Sequence, residues 1–422
     1  MRAVQGVGGA VMFAVSLALL AQEFPPGRER ATAMGIYGAS MAVAAAIGPL
    51  LGGVLTDGLG WRSIFFINVP IGAAAMAVTR LRLRETRDPG ARGVDWAGVV
   101  TFSGALFALV LALVRGNAEG WGSALIVSLF AAAVVLLVGF VMMERRAREP
   151  MLPLGLFRLG SCVGVQIAAF AVAAAPYALF LYTSLYLQSY LGYSPLQTGL
   201  RYLPITIASL LAALVAGAVL SRLPARVLMS ASLALTGVGL LLMAGVRSGD
   251  HWTALLAGFL VVGAGAGFLT PVVADVALGV VPKERSGMAA GINDTFRQVG
   301  VAVGVAVWGA IFLGRGAAKT AALAAGTPLA GGDNPRRLVE AASSGNIDNA
   351  LAAVPGPLRS VAARAAREGF LAGFNDVLAL GAAVCFAGAA LALWLVRERE
   401  IEPRPELAAV AEPRYQEERY AA

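Results

Sequence analysis

Histidine, cysteine and lysine are nearly missing from this sequence. The one histidine, His251, lies in a short loop and reads as a surface residue rather than a proton relay. Cys162 and Cys385 sit inside apolar stretches, which argues against a disulfide framework or a metal site. Lysine occurs only as Lys283 and Lys319, so arginine carries the basic charge. No Gly-Lys pair occurs, which excludes a Walker-type phosphate loop and disfavours ATP-driven work by this chain. Charged residues are also scarce, 14% of 422, against about 25% in soluble domains. Hydrophobic residues reach 58%.

The apolar residues come in blocks of about 20, the length that crosses a ~30 Å hydrocarbon layer as a helix. A membrane barrel would show alternating polar and apolar residues instead, and no such pattern is present. The expected fold class is an all-α polytopic membrane protein. The blocks predict eleven spans, near 3–21, 31–56, 63–80, 94–114, 122–143, 161–185, 199–220, 227–246, 253–279, 286–313 and 371–396. The net charge of +8 does not point to nucleic acid, because the arginines cluster in short loops between blocks. One alternating set of loops holds Arg28 and Arg30, the run from Arg80 to Arg92, the group Arg145 to Arg158, Arg222 and Arg226, Lys283 and Arg285, and the tail. The opposite short loops hold only Arg62, Arg115, Arg201 and Arg247. The positive-inside rule makes the first set cytoplasmic. The C-terminus is then inside and the N-terminus outside. With no basic leader before the first apolar block, no signal peptide is expected.

The organisation reads as four parts. Residues 1–80 hold three spans; 81–160 hold an apolar hairpin between basic linkers; 161–396 hold six spans; 397–422 form a polar tail. Two six-helix halves with a two-helix insert would total fourteen spans. An odd number of earlier spans, three, is therefore expected to precede this chain. Faint internal similarity supports two halves. GVGGA followed by PPGRERATAMG resembles GAGAG followed by PKERSGMAAG. The next spans carry Gly48-Pro49-Leu-Leu-Gly52 and Gly300-Val-Ala-Val-Gly304, spacings that let helix backbones approach closely.

These residues carry a family resemblance. The run Arg2-Ala-Val-Gln5-Gly6-Val-Gly8-Gly9-Ala10 resembles the fourth-helix motif of major facilitator antiporters. GPLLGGVLTDGLGWRSIFFINVPIG, residues 48–72, resembles the fifth-helix antiporter motif of the fourteen-span drug:proton antiporters, the EmrB/QacA-like group. GVDWAGVVTFSGALFALVLAL is similar to that group's inserted seventh helix, and residues 284–307 to its thirteenth. The resemblance implies a major facilitator fold of two helical bundles with a two-helix insert. It also implies a secondary transporter that exports drugs or amphipathic metabolites in exchange for protons, by alternating access. Its partners would be a small-molecule substrate, protons and the lipid bilayer, with no nucleic acid and no cofactor. A monomer in the cell (inner) membrane is expected. The alternative is a non-transporting membrane protein, a remnant or a regulator. A channel is disfavoured, since no charge ring or filter-like loop is evident. The family's first three helices, the first of which often holds an embedded carboxylate, have no counterpart by position.

Ionisable residues within spans are expensive and are functional candidates. By the resemblance Arg2 helps couple proton movement to conformational change; the other reading is that it snorkels to the surface. Asp294 and Arg297 lie three apart on one helix and share a face. With Asn293 they form a polar patch about 12 Å into the span, either a satisfied structural pair or a switchable one on the substrate path. Asp275 follows Pro271, about two turns from the cytoplasmic end. A carboxyl out of water holds a proton more readily, so Asp275 is the expected carrier. Gly6, Gly8, Gly48, Pro49, Gly52, Gly53, Gly300 and Gly304 are assigned to helix packing, with Pro49 a kink. Asp57, Trp61 and Arg62 are expected at the outer interface. Residues 314–370 read as a long external loop containing short amphipathic helices.

Overall fold

The computed structural model describes residues 2–24, 28–82, 95–146, 152–220, 222–281 and 285–401. Among these, every regular element is helical. Arg2–Glu23 (α1) and Arg28–Leu59 (α2) take the first two expected spans. The third is broken at Ile67 into Ser63–Phe66 (α3) and Asn68–Arg82 (α4). The inserted hairpin is Trp96–Glu119 (α5) and Ala124–Glu144 (α6). Its ends are chemically marked. The Asp95 carboxylate accepts from Gly98 N at 2.8 Å to start α5. Gly120, at φ 87°, closes α5 in a conformation that only glycine adopts freely. Ser123 caps α6.

Gly160–Val172 (α7) and Ala178–Leu185 (α8) form one long span with wider π turns at Ala173–Tyr177 and Tyr186–Tyr190. Pro195–Arg201 (α9), opened by a reciprocal Ser194–Gln197 cap, leads into Leu203–Leu220 (α10). Ala225–Met243 (α11), Leu256–Gly279 (α12) and Ser286–Leu323 (α13) follow. Asn334–Ser343 (α14) and Ile347–Ala352 (α15) precede the final Arg359–Leu395 (α16). Among the described residues, nine helical stretches are long and apolar enough to cross a membrane.

Several boundaries differ from expectation, among them the end of α5, at Glu119 rather than 114. The span expected to end at 185 runs to Tyr190. The one expected to end at 313 runs to Leu323, and the last begins at Arg359 rather than 371. The long loop therefore shrinks to 324–358. Charged residues end a hydropathic block without ending a helix: Arg315 on α13 pairs with Asp376 on α16 at 3.1 Å. The breakers lie farther out, at Gly326-Thr-Pro328 and Pro355-Gly-Pro357.

Lipid is as apolar as leucine, so helices in a bilayer associate through close contact and interhelical hydrogen bonds. The Gly263-Ala-Gly-Ala-Gly267 run shows the first. Gly263 and Gly267 press against the α10 carbonyls of Ile205 and Ser209, while Gly265 faces Ser232 and Thr236 of α11. The second includes Trp308 Nε1 donating to Ala174 O at 2.6 Å, Tyr182 Oη to Val305 O at 2.9 Å and Ser230 Oγ to Ala389 O at 2.8 Å. Loops on one membrane face meet one another. Ser161 bonds Arg397 and Glu400, and Glu398 accepts from Arg226 N. On the opposite face Arg201 stacks on Tyr193, and Arg336 donates to Asn117 O.

Candidate functional site: a cavity between α2 and the six-span bundle

Of the first helices, α2 reaches deepest into the bundle, packing on α10, α12 and α9. Where it crosses the π turn before α8, contact opens into a cavity of about 490 Å³. Its walls come from Gly38, Met41 and Gly48 of α2, Tyr177 and Phe180, Thr206 and Ser209 of α10, Thr270 of α12, and Arg297 of α13. The lining is mostly apolar with a few hydroxyls and one guanidinium, the mix that binds amphipathic small molecules. A second cavity of about 50 Å³ adjoins it, sharing Met41, Tyr177, Thr270 and Arg297 and adding Tyr37, Asn293 and Asp294.

Arg297 stands on both walls. Its Nε donates to Asp294 Oδ1 at 3.2 Å, and a second nitrogen donates to the same oxygen. The pair is only partly sheltered, at 26% and 16% exposure, so it is in contact with the cavity rather than sealed from it. Tyr37 of α2 lies beside Ser16 of α1 and within electrostatic reach of Asp294, Arg297 and Tyr177. Asn293 is buried against the smaller cavity, and its Nδ2 has no hydrogen-bond partner among the described residues. A donor so placed is a ready contact for water or ligand.

Three expected residues, Asn293, Asp294 and Arg297, thus come together at the smaller cavity. Asp275 does not join them: it is half-buried on α12 and is not among the residues lining either cavity. Gln5 is exposed on α1, and the side chains of Arg2, Pro49 and Asp57 lie outside the described residues. The glycines divide. A Cβ at Gly6, Gly8, Gly48 or Gly52 would meet nothing within 4 Å. One at Gly53 would lie 2.8 Å from Leu196 Cα, and one at Gly300 2.7 Å from Phe170 O. Gly304 presses on Ala174 O, the carbonyl that Trp308 also binds. Tyr37, Tyr177 and Thr270 were not evident in the sequence. Pro176, inside an apolar block, is the one signal that could have pointed toward that region.

The profile of the Major Facilitator Superfamily matches residues 1–305. The chain belongs to the Major Facilitator Superfamily. Curated relatives carry drug-resistance, export and efflux names. A multidrug resistance protein, Stp, of Mycobacterium tuberculosis is 37% identical over 74% of this chain and 58% of its own length. The tetracenomycin C resistance and export protein of Streptomyces glaucescens is 30% identical over 96% of this chain and 76% of its own. The drug efflux pump JefA of M. tuberculosis is 32% identical over 93% and 78%. The chain spans 58% of the length of Stp. As a superfamily member, it is a multi-pass membrane protein of a transporter family, and its cavity lies among apolar helices.

Proposed function

We propose that this chain exports drugs or amphipathic metabolites across the inner membrane in exchange for protons. The observation that carries this reading is the cavity of about 490 Å³ with Arg297, the ion-pair partner of Asp294, on its wall. The substrate is an aromatic amphipathic compound. Its rings lie against Tyr177 and Phe180, and its polar groups meet Ser209, Thr270 and Arg297. Names such as tetracenomycin C resistance and export protein, and puromycin resistance protein, support that class. Alternating access follows if α1 and α2 rock against the six-span bundle. Coupling goes with Asp294, whose carboxylate is held by Arg297 in one state and protonated when the pair opens in the other. In this reading the C-terminus and Arg146 face the cytoplasm and 324–358 lies outside, which the arginine-rich loops support.

Everted vesicles test this directly. Vesicles carrying the chain should accumulate doxorubicin beyond the level this weak base reaches in vesicles without the chain when the lumen is acid, and release that excess when nigericin collapses the gradient. In the same vesicles an impermeant thiol reagent should label a cysteine placed at Arg146 and spare one at Asp348. Accumulation indifferent to the gradient removes proton coupling. Absence of accumulation favours the non-transporting reading, and labelling at 348 reverses the orientation.

A further inference from the structure

The inserted hairpin meets the bundle unevenly. Near the α5–α6 turn it is fastened: Asn117 Nδ2 donates to Ala306 O at 3.1 Å, and Arg336 donates to Asn117 O at 3.0 Å. Toward the other membrane face α5 and α6 stand away from α13, leaving a cleft of about 620 Å³. Its walls are almost wholly apolar and include two aromatic pairs, Phe102 with Phe140 and Phe157 with Phe296. The mouth is the reverse. Arg145 is one turn beyond the lining residue Val141, and Arg158 directly follows Phe157. Arg145, Arg146 and Arg158 are all exposed.

An apolar slot within the bilayer, rimmed at the surface by arginines, matches one ligand chemistry. We propose that the cleft holds an acyl chain of an anionic phospholipid, with its phosphate on Arg145, Arg146 and Arg158. A soluble ligand would have little to bind below the rim, and a zwitterionic lipid would gain less from three cations. The lipid braces the hairpin against α13 across the cleft. The proposal stands apart from the transport reading, since it uses neither the central cavity nor Asp294.

Gly291 gives a clean block. It lines the cleft, and a Cβ there meets nothing within 4 Å, so a larger side chain enters the lipid's space without striking backbone. The full chain, purified in detergent, is offered phosphatidylglycerol and phosphatidylcholine with identical acyl chains, and retained lipid is read by native mass spectrometry. The expected result is one phosphatidylglycerol held with a preference of roughly tenfold or more over phosphatidylcholine. R145Q/R146Q/R158Q should reduce phosphatidylglycerol to the phosphatidylcholine level. Gly291→Phe should abolish retention of both while the unfolding temperature holds. Ser103→Phe, from the opposite wall, is the second block should Gly291→Phe fold poorly. Equal retention of the two lipids by the unaltered chain overturns the proposal. So does retention unaffected by both blocks, or doxorubicin displacing the lipid from the cleft.

Discussion

Among single residues, Asp294, Arg297 and Asp275 decide where proton coupling lies. From the sequence Asp275 is the better proton carrier, because no basic residue lies within a turn of it on α12. The folded chain shifts the weight. Thr270 and Ala274 are four apart on α12, and both line the smaller cavity. Asp275 follows Ala274, about 100° further around the helix, so it leaves that face. Sequence spacing shows which residues share a face, but not which face meets the cavity. Asp294→Asn should lower the yield of folded protein, since a hydrogen bond to a charged group is worth about 1.5–3 kcal/mol. D294N/R297Q should recover much of that yield, because removing both charges costs less than stranding one. Neither variant should show pH-dependent export per folded molecule, whereas Asp275→Asn should keep it. Lost pH dependence in Asp275→Asn, with retention in Asp294→Asn, would move coupling to α12.

At the element scale the glycines show where pattern alone stops. Gly48/Gly52 and Gly300/Gly304 have the same spacing, and in sequence they read alike. In the fold, α13 lies so close to the π turn at Ala173–Tyr177 that Gly304 touches Ala174 O, whereas Gly48 looks into the cavity. Partner identity is a tertiary property that spacing does not encode. Gly304→Ala should therefore separate α13 from α7 and strain the Trp308–Ala174 bond, at about 1–3 kcal/mol for overpacking. Gly48→Ala should be neutral or stabilising by up to ~1 kcal/mol through helix propensity. Thermal unfolding of both variants in one detergent checks this; equal loss at the two positions would contradict it. The π turns were not legible beforehand beyond Pro176, because hydropathy is blind to hydrogen-bond register. The polar extensions of α13 and α16 escaped for a related reason: Arg315, Lys319, Arg359 and Arg364 leave the apolar pattern while the helix continues.

At the scale of the whole molecule, the spans were legible because a bilayer demands long apolar runs, and few other solutions exist. The inserted hairpin was legible too, from its apolar blocks and basic flanks, whereas its caps Asp95, Gly120 and Ser123 emerge only in the fold. What no run of residues reveals is that α2 packs on α10 and α12 and that the gap between them is the cavity. That cavity is the central claim, and Gly48 gives the most direct access to it. A Cβ there meets nothing within 4 Å, so Gly48→Phe places a ring in the cavity without striking backbone. The decisive measurement is equilibrium binding of doxorubicin to the purified chain and to Gly48→Phe, followed by fluorescence. The account predicts saturable binding to the unaltered chain and loss of binding in Gly48→Phe at an unchanged unfolding temperature. Equal affinity in the two proteins would place the drug elsewhere and contradict it.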